Sequence, residues 1–232
     1  MSDCVPTDLR GSRSVRAPDR HHDEGVVILD SGEVAGLAEL YDPRVMVVSL
    51  PMPPPARAEV HARALVHSGP RQGTAELSTA TADSAQLLPL AERGAPHADA
   101  WAQFLTRAAI IFGDLLGAGG VGVRQIVADE PHCSRFHVDQ VAARGVLHVT
   151  GPTTEWLIDG AADRTRLGHR GGTDDMQAGV VRSWSGLRST PPASLTVFKG
   201  AAWPGAEQAA VVHRSPASSG RRRLLVTLDA LR

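Results

Sequence analysis

The stretch Phe136-His-Val-Asp-Gln-Val141 places a histidine and an aspartate two positions apart in a short, largely apolar run. It is one of a series of such runs that predict β-strands. Successive side chains of a strand point to opposite faces, so we expect His137 and Asp139 to project from the same face. An imidazole and a carboxylate would then share one space, and both are common metal ligands.

Runs of the same kind recur from residue 121 onward, separated by turn residues such as Gly151-Pro152 and Pro191-Pro192. Many short strands without alternating helices favour a sandwich or jelly roll over βαβ units. We predict a mainly β fold with N-terminal helices (α+β) on a double-stranded β-helix, the jelly-roll or cupin-like core. The predicted strands span 121–128, 136–141, 145–150, 155–158, 194–198, 209–213 and 224–228.

The chain before residue 121 has a different character. Ala98–Leu116 carries apolar residues at three- and four-residue steps, which predicts an amphipathic helix. The polar stretch Ser68–Asp83 predicts a loop. The expected layout is a disordered tail at 1–24 and a single domain at 25–232, divided into a helical or mixed support region (25–120) and a jelly-roll core with the metal site (121–232).

The composition argues against several classes of function. Lysine and arginine number 24, and aspartate and glutamate 25, so the formal charge of −1 offers no basic stripe for nucleic acid. No apolar run approaches the roughly 18 residues that span a bilayer, and the N-terminus has no secretory pattern. Two cysteines cannot build a disulfide framework. We expect a cytoplasmic protein that binds neither nucleic acid nor membrane; the sequence does not indicate an oligomeric state.

A second histidine completes the candidate metal site. His213 ends the predicted strand 209–213, and two histidines with one carboxylate on one face of an ion form the triad of non-haem Fe(II) oxygenases. Such a triad leaves positions open for O2 and a bidentate co-substrate. Arg223 follows ten residues later, and its planar guanidinium could hold the distal carboxylate of 2-oxoglutarate through two hydrogen bonds. Ser215 shares the face of His213 and is a second candidate for that carboxylate.

Three further residues are candidates for contacting substrate. Glu155 lies just after a turn, Lys199 is the single lysine of the chain, and Arg144 lies near a predicted strand. Arg124 could reach the same pocket, although most arginines are solvated. The alternative interpretations are a turn-stabilising carboxylate for Glu155 and a surface side chain for Lys199.

Several motifs resemble those of a bacterial family of unknown function, DUF1826, and they run in order over roughly the last half of the chain. They are Val123-Arg124, Cys133-Ser-Arg-Phe-His-Val-Asp-Gln140, Gly151-Pro-Thr-Thr-Glu-Trp-Leu157, Val197-Phe-Lys-Gly200 with Trp203, His213-Arg-Ser-Pro216 and Arg223-Leu-Leu-Val-Thr-Leu-Asp229. The chain departs from the family pattern at Thr153, where glycine is usual, and this position is not a proposed ligand. The family has no assigned reaction, so the resemblance adds little about function.

The metal-ligand pattern is itself similar to that of the Fe(II)/2-oxoglutarate-dependent oxygenases. That resemblance implies Fe(II), with zinc as an alternative, 2-oxoglutarate as co-substrate, and hydroxylation of a small-molecule or peptidyl substrate. Two other functions remain open. One is a non-catalytic zinc- or iron-binding protein with the same three ligands, and the other is a cupin-like metalloenzyme that uses no 2-oxo acid.

Overall fold

The computed structural model of the chain describes residues 20–23, 25–29, 32–168, 175–217 and 220–231. The helices are α1 (Ala56–His67) and α2 (Ala98–Leu116), with short 3-10 helices at Val34–Tyr41, Ser84–Leu90, Arg164–Arg166 and Trp184–Gly186. The strands are β1 (Arg20–Asp23), β2 (Val26–Leu29), β3 (Val47–Pro51), β4 (Arg71–Ser78), β5 (Gly120–Ala128), β6 (Ala143–Thr150), β7 (Glu155–Leu157), β8 (Leu187–Ser189), β9 (Ser194–Lys199), β10 (Val212–Arg214) and β11 (Arg223–Leu231).

These strands form two sheets within the described residues. The large sheet has eight strands in the order β1-β2-β3-β9-β6-β11-β5-β4, and the small sheet has three in the order β10-β7-β8. The large sheet is antiparallel except where β2 pairs with β3. Strands from before residue 121 belong to the same sheet as later ones, so residues 25–120 contribute strands as well as helices. The fold is therefore sheet-rich with few helices.

The two faces of the large sheet bury different partners, and the alternation of side chains along each strand separates them. Leu147 and Val226 lie in the apolar core that includes the residues of α2. Their neighbours in sequence, Val146 and Leu225, cluster on the opposite face with Trp156 of the small sheet. Helices therefore cover one face, and the small sheet covers part of the other.

Helix α2 forms over the range predicted from its apolar periodicity. Trp101 and Phe112 are fully buried on its inner side, and Gly117, with φ of 62°, ends it in the left-handed conformation that favours glycine. The indole N–H of Trp101 donates to Gln125 Oε1 at 2.8 Å, so this buried polar group is satisfied by β5. No helix in the described part of the chain is both long and apolar enough to cross a lipid bilayer.

Two local predictions are wrong. The expected loop at Ser68–Asp83 contains β4, an edge strand whose side chains alternate between more and less exposed positions while it pairs with β5. Its polar composition reflects that exposure, since an edge strand with one solvated face needs few apolar residues. The expected strand at 136–141 is not formed, and His137 alone in this segment makes an isolated β-bridge, with His213.

The expected tail at 1–24 is described in part only. Arg20–Asp23 form β1, which pairs with β2 at the edge of the large sheet. Residues 1–19 and Glu24 lie outside the described residues.

We predict that Phe112→Ala lowers the free energy of unfolding by about 3–5 kcal/mol, because it leaves a cavity between α2 and the large sheet. The ring packs where Gly145 of β6 has no side chain; a Cβ there would lie 3.0 Å from Phe112 Cδ2. Denaturant unfolding measures the loss. Arg107→Ala, at an exposed position of the same helix, is the control and is expected to change stability by less than about 0.5 kcal/mol. Equal stability of the two variants would contradict this packing.

Candidate metal centre

The candidate centre is built on a pair of backbone hydrogen bonds between two distant segments. The N–H of His137 donates to the carbonyl of His213 at 3.0 Å, and the N–H of His213 donates to the carbonyl of His137 at 2.9 Å. Residues paired in this way lie directly opposite each other, so their side chains project to the same side. The two ring centroids lie 4.5 Å apart. Pairing of His213 with Trp156 joins this bridge to the small sheet.

Both imidazoles are oriented by their Nδ1 atoms. Nδ1 of His137 lies 2.9 Å from the carbonyl oxygen of Arg135, and Nδ1 of His213 lies 3.1 Å from that of Val211. A carbonyl oxygen can only accept, so each neutral ring carries its proton on Nδ1 and keeps a free lone pair on Nε2. Metal-binding histidines commonly donate the N–H of their other ring nitrogen to a carbonyl or carboxylate oxygen in this way. The His213 ring also stacks on Phe198, with an angle of 8° between the planes.

Asp139 supplies the third candidate ligand. Its Oδ2 lies 3.3 Å from Nε2 of His213, and its Oδ1 lies 4.0 Å from Nε2 of His137. Oδ2 is buried and makes no hydrogen bond with any described residue. Ligand atoms of the three residues all lie within 4.8 Å of one another. Because ligands about 2.1 Å from one ion lie roughly 3–3.5 Å apart, a small rotation of the side chains suffices to hold a single metal ion.

The electrostatics favour the protonation states that bind metal. Burial, together with the neighbouring His213, lowers the pKa of His137, which keeps its ring neutral. Burial by itself would raise the pKa of Asp139, but the contacts with His213 and Arg144 outweigh it, so this pKa is lowered. Asp139 is therefore ionised and His137 neutral, which are the states in which a carboxylate and an imidazole bind metal.

Arg144, a candidate substrate residue from the sequence, contacts the candidate ligand directly. Its Nη1 donates to Asp139 Oδ1 at 2.8 Å, and its Nε donates to Asp229 Oδ1 at 2.9 Å. The guanidinium thus joins two carboxylates and fixes the orientation of Asp139. The side chain also lines the cavity beside the metal centre, so a further contact with substrate stays a prediction.

Arg223 and Ser215 lie together in the same cavity as the two histidines. Nη2 of Arg223 donates to Ser215 Oγ at 2.9 Å. Its Nε and Nη1 are buried and have no hydrogen-bond partner in the described structure. Burial lowers the pKa of Arg223 to about 10, so the side chain stays charged at neutral pH. An unpaired buried charge is costly, and a bound carboxylate would relieve that cost.

The other two candidate substrate residues lie away from this cavity. Glu155 accepts a hydrogen bond from Nε of Arg214 at 2.8 Å. Lys199 is buried next to Phe198 in β9, where side chains alternate between faces, so it points away from the metal centre. Its Nζ donates to the carbonyl of Asp42 at 2.9 Å. Contact of either residue with substrate stays a prediction.

Two supporting residues were not among the site residues predicted from the sequence. Asp175 Oδ2 accepts the N–H of Phe136 at 3.1 Å and a hydrogen bond from Nη1 of Arg214 at 3.3 Å, so it ties together the neighbours of both histidines. Gly200 approaches the Asp139 segment so closely that a Cβ there would lie 2.9 Å from the carbonyl oxygen of Asp139. Both contacts join distant segments, and no local pattern predicts them.

The fold of the chain is similar to that of a known dioxygenase. The crystal structure of the rice dioxygenase for auxin oxidation matches with a TM-score of 0.51 and 15% identity, over 90% of this chain and 83% of that one. Dioxygenase for auxin oxidation 1 of Arabidopsis thaliana, in a complex with 2-oxoglutarate, matches with a TM-score of 0.48 and 9% identity, over 90% of this chain and 92% of that one. A Pseudomonas putida prolyl-4-hydroxylase matches with a TM-score of 0.47 and 16% identity, over 86% of this chain and 99% of that one. At 15% identity the likeness to the rice enzyme is one of fold alone.

The chain belongs to the family described as "Protein of unknown function (DUF1826)", which matches residues 31–229. The resemblance seen in the motifs is therefore confirmed. No curated protein matches the chain significantly in sequence.

We predict that Gly200→Ala destabilises the protein by about 1–3 kcal/mol, because the added methyl group overlaps backbone atoms of the Asp139 segment. The carbonyl oxygens of Asp139 and Val141 are the atoms in its way. Thermal unfolding compares this variant with Gly119→Ala, where an added Cβ meets nothing within 4 Å. If Gly200→Ala were as stable as Gly119→Ala, the described approach of the two segments would be incorrect.

Proposed function

We propose that the protein is an Fe(II)- and 2-oxoglutarate-dependent oxygenase. In this proposal His137, Asp139 and His213 bind Fe(II), and Arg223 with Ser215 binds the distal carboxylate of 2-oxoglutarate. The observation that carries it is the buried guanidinium of Arg223, which has two unpartnered N–H-bearing atoms and shares one cavity with the two histidines.

The donor set fits a non-haem iron. Two imidazole nitrogens and one carboxylate oxygen are the ligands of the facial triad, which leaves other coordination positions open. The buried Oδ2 of Asp139 has no hydrogen-bond partner among the described residues. A carboxylate with a purely structural role would normally be hydrogen-bonded, so this oxygen is better explained as a metal ligand. Zinc is an alternative occupant, since imidazole and carboxylate also bind zinc well.

The charges support a dicarboxylic co-substrate. One end of 2-oxoglutarate can chelate the metal while Arg223 pairs with the other carboxylate, so both of its charges are matched. Ser215 Oγ, which accepts the N–H of Cys133 at 3.1 Å and a hydrogen bond from Arg223, orients the guanidinium. When bound, iron, 2-oxoglutarate and O2 supply the oxidation of a substrate C–H bond, with release of succinate and CO2.

The protein's own side chains supply positioning and charge in this scheme. Arg144 holds Asp139 in its ionised form, and the Nδ1 contacts with backbone carbonyls direct both Nε2 atoms to one point. Phe198 covers one side of the His213 ring and keeps water from it. A small molecule or a peptidyl group would approach through the open part of the cavity.

We also propose that the two sheets form a double-stranded β-helix. From β5 onward the chain crosses repeatedly between them: β5 and β6 lie in the large sheet, β7 and β8 in the small one, β9 in the large, β10 in the small and β11 in the large. The bridge at His137 adds a further crossing between β5 and β6. Alternate crossing of this kind is the connectivity of a jelly roll.

We predict that anaerobic addition of Fe(II) and 2-oxoglutarate gives a visible metal-to-ligand charge-transfer band, and that Arg223→Gln loses it at the same 2-oxoglutarate concentration. Removal of one partner of a buried charge pair costs about 2–5 kcal/mol of binding free energy, which is a loss of about 30-fold or more in affinity. Absorption spectroscopy records the band, and metal analysis is expected to find iron retained in this variant.

Arg222→Gln is the matched control for this experiment. Arg222 adjoins Arg223 but pairs with Asp129, with Nε 2.6 Å from Oδ1, so its loss is expected to leave the band unchanged. A native protein that binds iron without giving the band would instead favour the non-catalytic metal-binding protein or the cupin-like metalloenzyme. Iron binding that survives His213→Ala at full affinity would contradict the assigned ligands.

A further inference from the structure

The cavity beside the metal centre adjoins an open groove on the large sheet. Arg124 and Arg144 line both spaces, and the groove extends over β5, β4 and β11 past Gly122 and Thr74. Its volume of about 480 Å³ lies within the range of roughly 300–1,000 Å³ that is usual for small-molecule sites. A molecule bound in this groove would therefore lie beside the cavity that the two histidines line.

The arginines of the cavity differ in whether their charge is matched. Arg144 contacts Asp139 and Asp229, and Arg214 contacts Glu155 and Asp175. Arg223, which is assigned to 2-oxoglutarate, and Arg124 have no carboxylate partner within the described ranges. After the co-substrate is bound, Arg124 remains as the one lining arginine in those ranges without a matched charge.

Arg124 also lies in a row of hydrogen-bonding side chains. It is directly opposite Thr74 on β4 and directly opposite Thr227 on β11, so the three side chains share the face that carries the metal centre. The hydroxyl of Thr227 is buried and has no hydrogen-bond partner in the part of the chain that the structure describes. A guanidinium flanked by two hydroxyls forms a set of donors suited to the oxygens of an acid group.

The charged side chains along the groove favour binding of an acid at the end near the metal centre rather than at the outer end. Glu76, an exposed residue of β4, lines the groove one pleat beyond Thr74 and repels anions from the outer end. Building on the proposed oxygenase function, we propose that the substrate is a small acid whose carboxylate or phosphate binds Arg124, between Thr74 and Thr227. The rest of the molecule then extends from this anchor toward the metal centre.

The test is a comparison of acids with their neutral counterparts on the anaerobic protein loaded with Fe(II) and 2-oxoglutarate. Calorimetric titration compares 3-phenylpropionate and N-acetyl-leucine with their methyl esters, and glycerol 3-phosphate and glucose 6-phosphate with glycerol and glucose. The native chain is measured beside Arg124→Gln. Arg107→Gln is the control, because Arg107 is an exposed arginine of α2, the helix packed on the other face of the sheet.

We expect at least one acid to bind the native chain and Arg107→Gln about tenfold or more tightly than its neutral counterpart. We expect this preference to disappear in Arg124→Gln. Comparison of the carboxylic acids with their esters, and of the phosphates with glycerol and glucose, shows which acid group the site binds. The proposal is overturned if no acid is preferred or if the preference persists in Arg124→Gln.

The charge-transfer band is recorded first on each sample. Its absence from the native protein would refute the oxygenase function, whereas a normal band without any acid preference would refute this inference alone.

Discussion

The whole site depends on two hydrogen bonds between the backbones of His137 and His213. They set one residue directly opposite the other, and this fixes both rings on the same side of the small sheet. Asp139 follows His137 by two residues, so the same bridge also places its carboxylate. Segments that are far apart in sequence thus bring three candidate metal ligands together without a continuous strand at residues 136–141.

Contacts from other segments hold the three candidate ligands in this arrangement. Arg144 holds Asp139 from one side, and the close approach of Gly200 fixes the backbone of its segment on another. Asp175 joins the residues next to both histidines through Phe136 and Arg214. These contacts come from separate segments between residues 136 and 214, so one local motif cannot build the centre. A site preorganised in this way loses little freedom when it binds an ion.

The sequence predicted the parts that have a local signature. Helix α2 has a strong 3.6-residue period, and the His137-x-Asp139 spacing keeps both side chains together even though the segment forms only a bridge. Strand β4 was missed because an exposed edge strand carries few apolar residues. Asp175 and Gly200 could not be found, since their roles arise from contacts between distant segments. The candidate metal ligands and the arginines near them, by contrast, could be predicted, because they are polar residues in or near apolar runs of sequence.

The most direct measurement is a crystal structure of the protein loaded anaerobically with Fe(II), with anomalous scattering recorded at the iron absorption edge. The account predicts one iron ion per chain, bound by Nε2 of His137, Nε2 of His213 and the carboxylate of Asp139, at about 2.0–2.2 Å from each. An ion held elsewhere, or bound without one of these three side chains, would contradict it.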